Sequence, residues 1–122
     1  MNKKIILTGK PQSTQHIYGH TCRGSFPTTY LKPAAKNLRT AYSWEAAQQW
    51  REAALTVPFG VTLHFYHQTN RTQDIDNFNK LVLDALTGIV WKDDSLINEM
   101  HLFKYVDKEY PRIELTVHMP TY

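Results

Sequence analysis

The sequence predicts an α+β fold: one small domain, with a mixed or antiparallel sheet of about four strands and two main helices packed on it. Three observations lead there. Short stretches of alternating apolar and polar residues mark strands near both ends and in the middle of the chain. Two stretches with apolar residues at helical spacing lie between them. The length, 122 residues, suits one domain over residues 1–122 and leaves no room for a second.

Residues 3–8 are a short apolar and β-branched run that suits a first strand. From Gly9 to about Arg39 the chain is polar and aromatic and holds Pro11, Gly19, Gly24, Pro27 and Pro33. It reads as a long functional loop. A helix is expected from about Ser43 to Leu55, with Ser43 as N-cap and Pro58 beyond its end. Trp44, Ala47, Trp50, Arg51 and Ala54 recur there at helical spacing. Val61, Leu63 and Phe65 then alternate with Thr62, His64 and Tyr66, the pattern of a half-buried strand.

Residues 77–87 form the clearest helix. Phe78, Leu81, Val82, Ala85, Leu86 and Ile89 share one stripe, with Asp76, Lys80 and Asp84 opposite. Asp76 suits the N-cap and Gly88 the C′ position. Leu83 lies off the stripe, and a subunit contact is one reading of it. Two strands follow, from about Ile97 to Val106 and from Arg112 to His118. The intervening 107–111 segment reads as a hairpin connection.

Composition bounds the function. The chain is 42% apolar and 20% charged, which suits a soluble protein with a real core and argues against disorder. No apolar run approaches the ~20 residues of a membrane span. The apolar piece after Met1 is too short for a secretory signal, so an intracellular location is expected. The single cysteine, Cys22, rules out an intrachain disulfide.

Charge is segregated along the chain. Residues 1–44 have no acid and seven cations: Lys3, Lys4, Lys10, Arg23, Lys32, Lys36 and Arg39. Residues 45–122 carry a net charge of −4 within a whole-chain +3. A basic segment suits a polyanion if the acids serve another purpose than repelling it. Uneven charge on a small domain is the ordinary alternative.

The acids have their own arrangement. Asp74 and Asp76 are two apart, so on extended backbone both point the same way. Asp93 and Asp94 form a second pair after the helix and its Gly88 turn, which lets the chain double back. Converging carboxylates repel one another unless a cation joins them. All-oxygen donors favour Mg²⁺, with Mn²⁺ as a substitute, over zinc. No Cys or His cluster lies beside these acids in the sequence. His16, His20 and Cys22 lack a standard fourth ligand and read as polar loop residues. Taken singly, Asp76 reads as a helix cap, Asp93-Asp94 as a turn and Asp84 as a partner of Lys80. Their joint occurrence within 74–94 points to a catalytic centre.

The string Asp74-Ile75-Asp76-Asn77-Phe78-Asn79-Lys80, then Asp84-Ala85-Leu86, then Asp93-Asp94, resembles the core pattern of the RusA family of Holliday junction resolvases. The match is dense over residues 74–97. In the N-terminal third only Pro11 and Ser13 echo the family. The resemblance implies that Asp74, Asp76 and Asp94 bind a catalytic Mg²⁺ and that Lys80 is an essential lysine. It implies a homodimer that nicks four-way DNA symmetrically, while Asp84 and Asp93, which match family positions, support the structure or the surroundings of the metal ligands. Lys10, Arg23, Lys32, Lys36, Arg39 and Arg71 are then the candidates for holding the DNA backbone, and Tyr18, Phe26 and Tyr30 for stacking on opened bases. Two other classes stay open at this point: a non-catalytic DNA- or junction-binding protein that keeps the fold, and a Mg²⁺-dependent phosphohydrolase acting on small phosphate esters. Intact acids and Lys80 speak against the first; the basic segment and the lack of a Gly-rich phosphate loop speak against the second.

Overall fold

A computed structural model describes residues 2–9, 11, 18–23, 26–31, 33–69 and 79–121; for 18–23, 26–31 and Ala34 only the backbone is described. Among the described residues, nine elements follow one another: β1 (Asn2–Thr8), β2 (Tyr18–Arg23), β3 (Phe26–Leu31), α1 (Pro33–Gln49), β4 (Phe59–His67), α2 (Asn79–Leu86), a 3₁₀ turn (Asp94–Leu96), β5 (Ile97–Val106) and β6 (Arg112–His118). The main sheet has the order β1-β6-β4-β5, and β2 and β3 form a separate antiparallel ribbon. With two helices beside a four-stranded mixed sheet, the architecture is the expected α+β type.

Alternation builds the core. Ile5 and Leu7 from β1, Val61, Leu63 and Phe65 from β4, and Ile113, Leu115 and Val117 from β6 are all buried on one face. Against them lie Ala35, Tyr42 and Ala46 of α1, with Trp50 just past its end, and Leu81, Val82, Ala85 and Leu86 of α2. The α2 stripe is as expected for its described residues; Phe78 and Asp76 lie outside them. Leu83 is half-buried and packs against the same core. Gly88 adopts φ +92°, the left-handed backbone that ends a helix at little cost only for glycine. No described helix is long and apolar enough to cross a membrane.

Three expectations are corrected. The stretch from Gly9 to Arg39 is not one long loop, because it contains the β2–β3 ribbon and the first half of α1. The helix also begins ten residues before Ser43 and ends at Gln49. Pro33 stands at its first position, where a missing N–H costs nothing. Its inward stripe, Ala35, Leu38, Tyr42 and Ala46, is half alanine and is faint in sequence. Trp44, read as part of that stripe, is instead 67% exposed. Ser43 is not a cap: its hydroxyl lies 3.0 Å from the Arg39 carbonyl and 2.8 Å from the Ala85 carbonyl of α2.

The third correction concerns pairing. β5 and β6 do not form a hairpin. β5 runs parallel to β4, and β6 lies antiparallel between β4 and β1. The 107–111 connection therefore straddles the end of β4, where the Asp107 N–H donates to the His67 carbonyl at 2.8 Å. β4 is the most buried strand, with five of its nine residues inaccessible, and it gains most from neighbours on both sides. A β5–β6 hairpin would leave one of its edges unpaired. The outer edge of β1 is covered by α1 side chains: Gln49 makes a reciprocal pair of 2.8 Å hydrogen bonds with the N–H and carbonyl of Ile6. Glu45 accepts from the Thr8 N–H at 3.1 Å. An edge satisfied in this way is closed to further strands.

Candidate active site

The chain between α2 and β5 makes a compact turn that presents Asp94. Its anchor is Trp91, fully buried against the Phe59 ring at 5.2 Å between centroids. Backbone bonds fix the turn on both sides: Leu55 N–H to the Val90 carbonyl and Lys92 N–H to the Leu55 carbonyl, each 2.9 Å, and Gly88 N–H to the Trp91 carbonyl at 2.7 Å.

From this anchor the Trp91 indole N–H points at Asp94 Oδ1 (2.9 Å) and Thr87 Oγ1 (3.0 Å). The Thr87 hydroxyl lies 2.5 Å from the same Asp94 oxygen and 2.8 Å from the Leu83 carbonyl. It has one proton to give, and the charged carboxylate is the stronger acceptor. Asp94 is thus exposed yet oriented, with Oδ1 held by two donors. Its Oδ2 has no hydrogen bond among the described residues. That geometry fits a hard cation, which takes carboxylate oxygen that the protein has pre-positioned.

Asp93, next to it, has a different task. In extended conformation it caps the 3₁₀ turn, and its Oδ1 accepts from the Ser95 N–H at 2.9 Å. That backbone bond, with the Ser95 side chain, holds its carboxyl below the usual range.

Lys80 occupies the second position of α2 and is exposed; Asp84 is exposed one turn on. α2 places Lys80 and Thr87 about 10 Å apart along its axis, at 1.5 Å rise per residue. Asp74, Asp76 and Arg71 lie outside the described residues, and so does their expected meeting with Asp94. Lys10 and Lys32 lie outside them as well, and of Arg23, Tyr18, Phe26 and Tyr30 only the backbone is described. Lys36 and Arg39 are exposed on α1. Lys3 and Lys4 are already paired with acids, Lys3 with Glu52 and Lys4 with Glu114 at 3.0 Å.

Two groups of residues escaped the sequence reading. Thr87 and Trp91, seven and three residues before Asp94, orient it; only the fold brings all three together. The second group is Glu99, His101 and His118, whose potential ligand atoms lie within 4.8 Å of one another. Glu99 and His101 are two apart on one strand, a spacing visible in sequence, but His118 comes from another strand.

These features define a small α+β domain that presents an oriented carboxylate after a short helix. The comparisons with known proteins are more specific. A family model described as endodeoxyribonuclease RusA matches residues 8–118, and the chain belongs to that family. It is similar to a crossover junction endodeoxyribonuclease RusA of Aquifex aeolicus (strain VF5), 27% identical over 100 residues that cover 80% of this chain and 75% of that protein. Proteins of the same name from Shigella sonnei (strain Ss046) and Escherichia coli (strain K12) are each 25% identical over 118 residues, 96% of this chain and 95% of theirs.

Proposed function

We propose that this chain is an intracellular, Mg²⁺-dependent, structure-specific endodeoxyribonuclease that resolves four-way DNA junctions by paired nicks, acting as a homodimer. Family membership and the relatives' names support the class of reaction. The observation that carries the site is the Asp94 carboxylate, held by Thr87 and Trp91, its second oxygen without a hydrogen bond among the described residues.

Asp94 would hold the metal together with Asp74 and Asp76. Bound there, Mg²⁺ supplies positive charge at the phosphate and acidifies a water. The chain's own residues do the rest. Trp91 and Thr87 hold Asp94 in one rotamer, so that a carboxylate placed on an exposed turn is ready without further ordering. Three carboxylates and a phosphate carry more charge than one divalent ion cancels. Lys80, at the opposite end of α2, offsets part of the remainder at the substrate. Lys36 and Arg39 contact the phosphate backbone, which gives salt-sensitive affinity with little sequence readout. A two-fold dimer would present two equivalent sites to a nearly two-fold junction.

The test uses synthetic four-way junctions and matched linear duplex, with Mg²⁺ or with chelator. Metal-dependent paired nicks confined to the junction are expected. Asp94→Asn and Asp76→Asn should abolish cleavage and leave junction binding largely intact, because each removes metal-binding charge and not the basic grip. Lys80→Ala should lose most of the turnover. Junction binding without any nicking would favour a junction-binding protein, and inertness towards both DNAs would favour a small phosphate-ester substrate. An Asp94→Asn protein that cuts at the normal rate would falsify the assignment of that residue.

A further inference from the structure

The face of the sheet away from the helices carries a second donor cluster, and its chemistry differs from that of the aspartates. Gly60 of β4 is flanked by Glu99 on β5 and His118 on β6, its register partners on either side. His101 pairs with Thr62, two residues further along the same face. Gly60 is what lets them converge. A Cβ built there would stand 2.6 Å from His118 Cε1, 2.9 Å from its Nδ1 and 3.2 Å from Glu99 Oε2. A side chain there would have to displace the His118 ring, and without one the two neighbouring strands lean their functional groups into that space.

We infer that Glu99, His101 and His118 form a binding site for a divalent transition-metal ion of the zinc class, separate from the carboxylate site proposed for cleavage. Glu99 Oε2 lies 3.3 Å from His101 Nε2 and 3.9 Å from His118 Nδ1. Zinc bound tetrahedrally, with ligands at about 2.1 Å, holds its donors about 3.4 Å apart. Small side-chain adjustments therefore close the triad around an ion. The Met119 carbonyl lies 2.8 Å from His118 Nδ1 and must turn aside for an ion to take that nitrogen.

Two imidazoles and a carboxylate are the donor set for zinc and its neighbours in the transition series. Mg²⁺ prefers oxygen alone. The supports that such ligands need are present. The hydroxyl of Thr62 lies 3.0 Å from His118 Nε2, so a proton on that nitrogen leaves Nδ1 as the ligand. Thr121 donates to Glu99 from its hydroxyl and, at 3.2 Å, from its N–H, fixing the carboxylate. A shallow cleft of about 410 Å³, lined in part by Thr62, His101, His118 and Thr121, gives an ion and its remaining water access from solvent. Such an ion would cross-link β5 and β6, through Glu99 and His101 on one strand and His118 on the other.

The experiment titrates Co²⁺ and then Zn²⁺ into the full chain, freed of metals and kept without Mg²⁺, and follows visible absorption and thermal unfolding. One equivalent of Co²⁺ should give the ligand-field bands of a low-coordinate N/O site, and Zn²⁺ should bleach them. Zn²⁺, but not Mg²⁺, should raise the unfolding midpoint by several degrees. His101→Ala, at an exposed position that leaves folding intact, and Glu99→Gln should each weaken Zn²⁺ binding at least tenfold while Mg²⁺-dependent DNA cleavage continues. Asp94→Asn should leave the bands unchanged. No bands and no thermal shift would overturn the inference. So would bands that survive His101→Ala and vanish in Asp94→Asn, since the ion would then sit on the aspartates. Loss of DNA cleavage in the wild-type chain would count against the proposed nuclease and leave this result standing.

Discussion

The two faces of the main sheet are made by alternate residues of the same strands, yet they differ in almost every property. On the helix side, the buried side chains of β1, β4 and β6 are all aliphatic or phenyl, each essentially inaccessible to water. On the other side, His64, Tyr66, Phe103 and Tyr105 pack ring against ring, with Tyr66 and Tyr105 stacked at 4.9 Å. The Arg112 guanidinium lies over the Tyr66 ring at 3.8 Å and reaches Asp107 at 2.8 Å and Glu114 at 2.7 Å. Phe103 nevertheless remains 45% exposed. One face holds the fold together; the other is free to hold polar groups in fixed positions. The difference teaches that a two-residue period supplies a scaffold and a working surface from one stretch of chain.

Substitutions on the two faces should separate these roles. The largest effect is expected on the helix side: Phe65→Ala removes a fully buried ring and should cost about 3–5 kcal/mol in denaturant unfolding. A loss no larger than that of an exposed-face substitution would erase the contrast.

Arg112→Ala comes next, at roughly 1–2 kcal/mol, because it removes charge-assisted hydrogen bonds and a ring contact at a half-buried site. It should also change the acid limb of stability. Hydrogen bonds from the Tyr110 N–H and from Arg112 hold the Asp107 carboxyl below its ordinary value. Burial pushes the Glu114 carboxyl up, but Lys4 and Arg112 together outweigh it, and the net shift is downward. A carboxyl whose pKa is lower folded than unfolded adds stability above its unfolded pKa, and that stability disappears as pH falls through the folded value. Wild-type protein should therefore lose stability as pH drops below the usual carboxylate range, and Arg112→Ala should lose less over that window. Parallel pH curves for the two proteins would show that Arg112 is not the cause.

Phe103→Ala, on the exposed side, is expected to cost only about 1 kcal/mol, since most of what it removes is already half in water. The smallest change in stability should come from Thr87→Val, under about 1 kcal/mol at an exposed position. Its value lies elsewhere. It removes the hydroxyl that orients Asp94, so junction cleavage should fall by about tenfold or more while the fold persists. Unchanged cleavage would mean that Trp91 alone suffices to hold the carboxylate.

Much of the fold was legible because it follows from short-range periodicity. The limits of β5 and β6 coincide with those expected, β4 extends its expected core by a few residues, and α2 shows its stripe from Leu81 to Leu86. α1 was misplaced because Trp44 is large, apolar and turned to solvent, whereas the true contacts are made largely by alanines and Tyr42. The ribbon of β2 and β3 was hidden by Gly24 and Pro27, which punctuate it. For the candidate site, the acidic spacing and Lys80 were readable as a family pattern. The partners of Asp94 were not, because an indole and a hydroxyl become orienting groups only once a turn has folded them together.

By itself the sequence determined where most strands lie, which of their faces would be dry, and which family the acidic pattern belongs to. These depend on residues within one turn or one strand of each other. The tertiary structure alone decided that β4 takes the central place, that β5 joins it in parallel, and that Glu99, His101 and His118 meet over Gly60. Those outcomes depend on strands competing for the same partners and on the space left by a missing side chain, and neither is a property of any single segment.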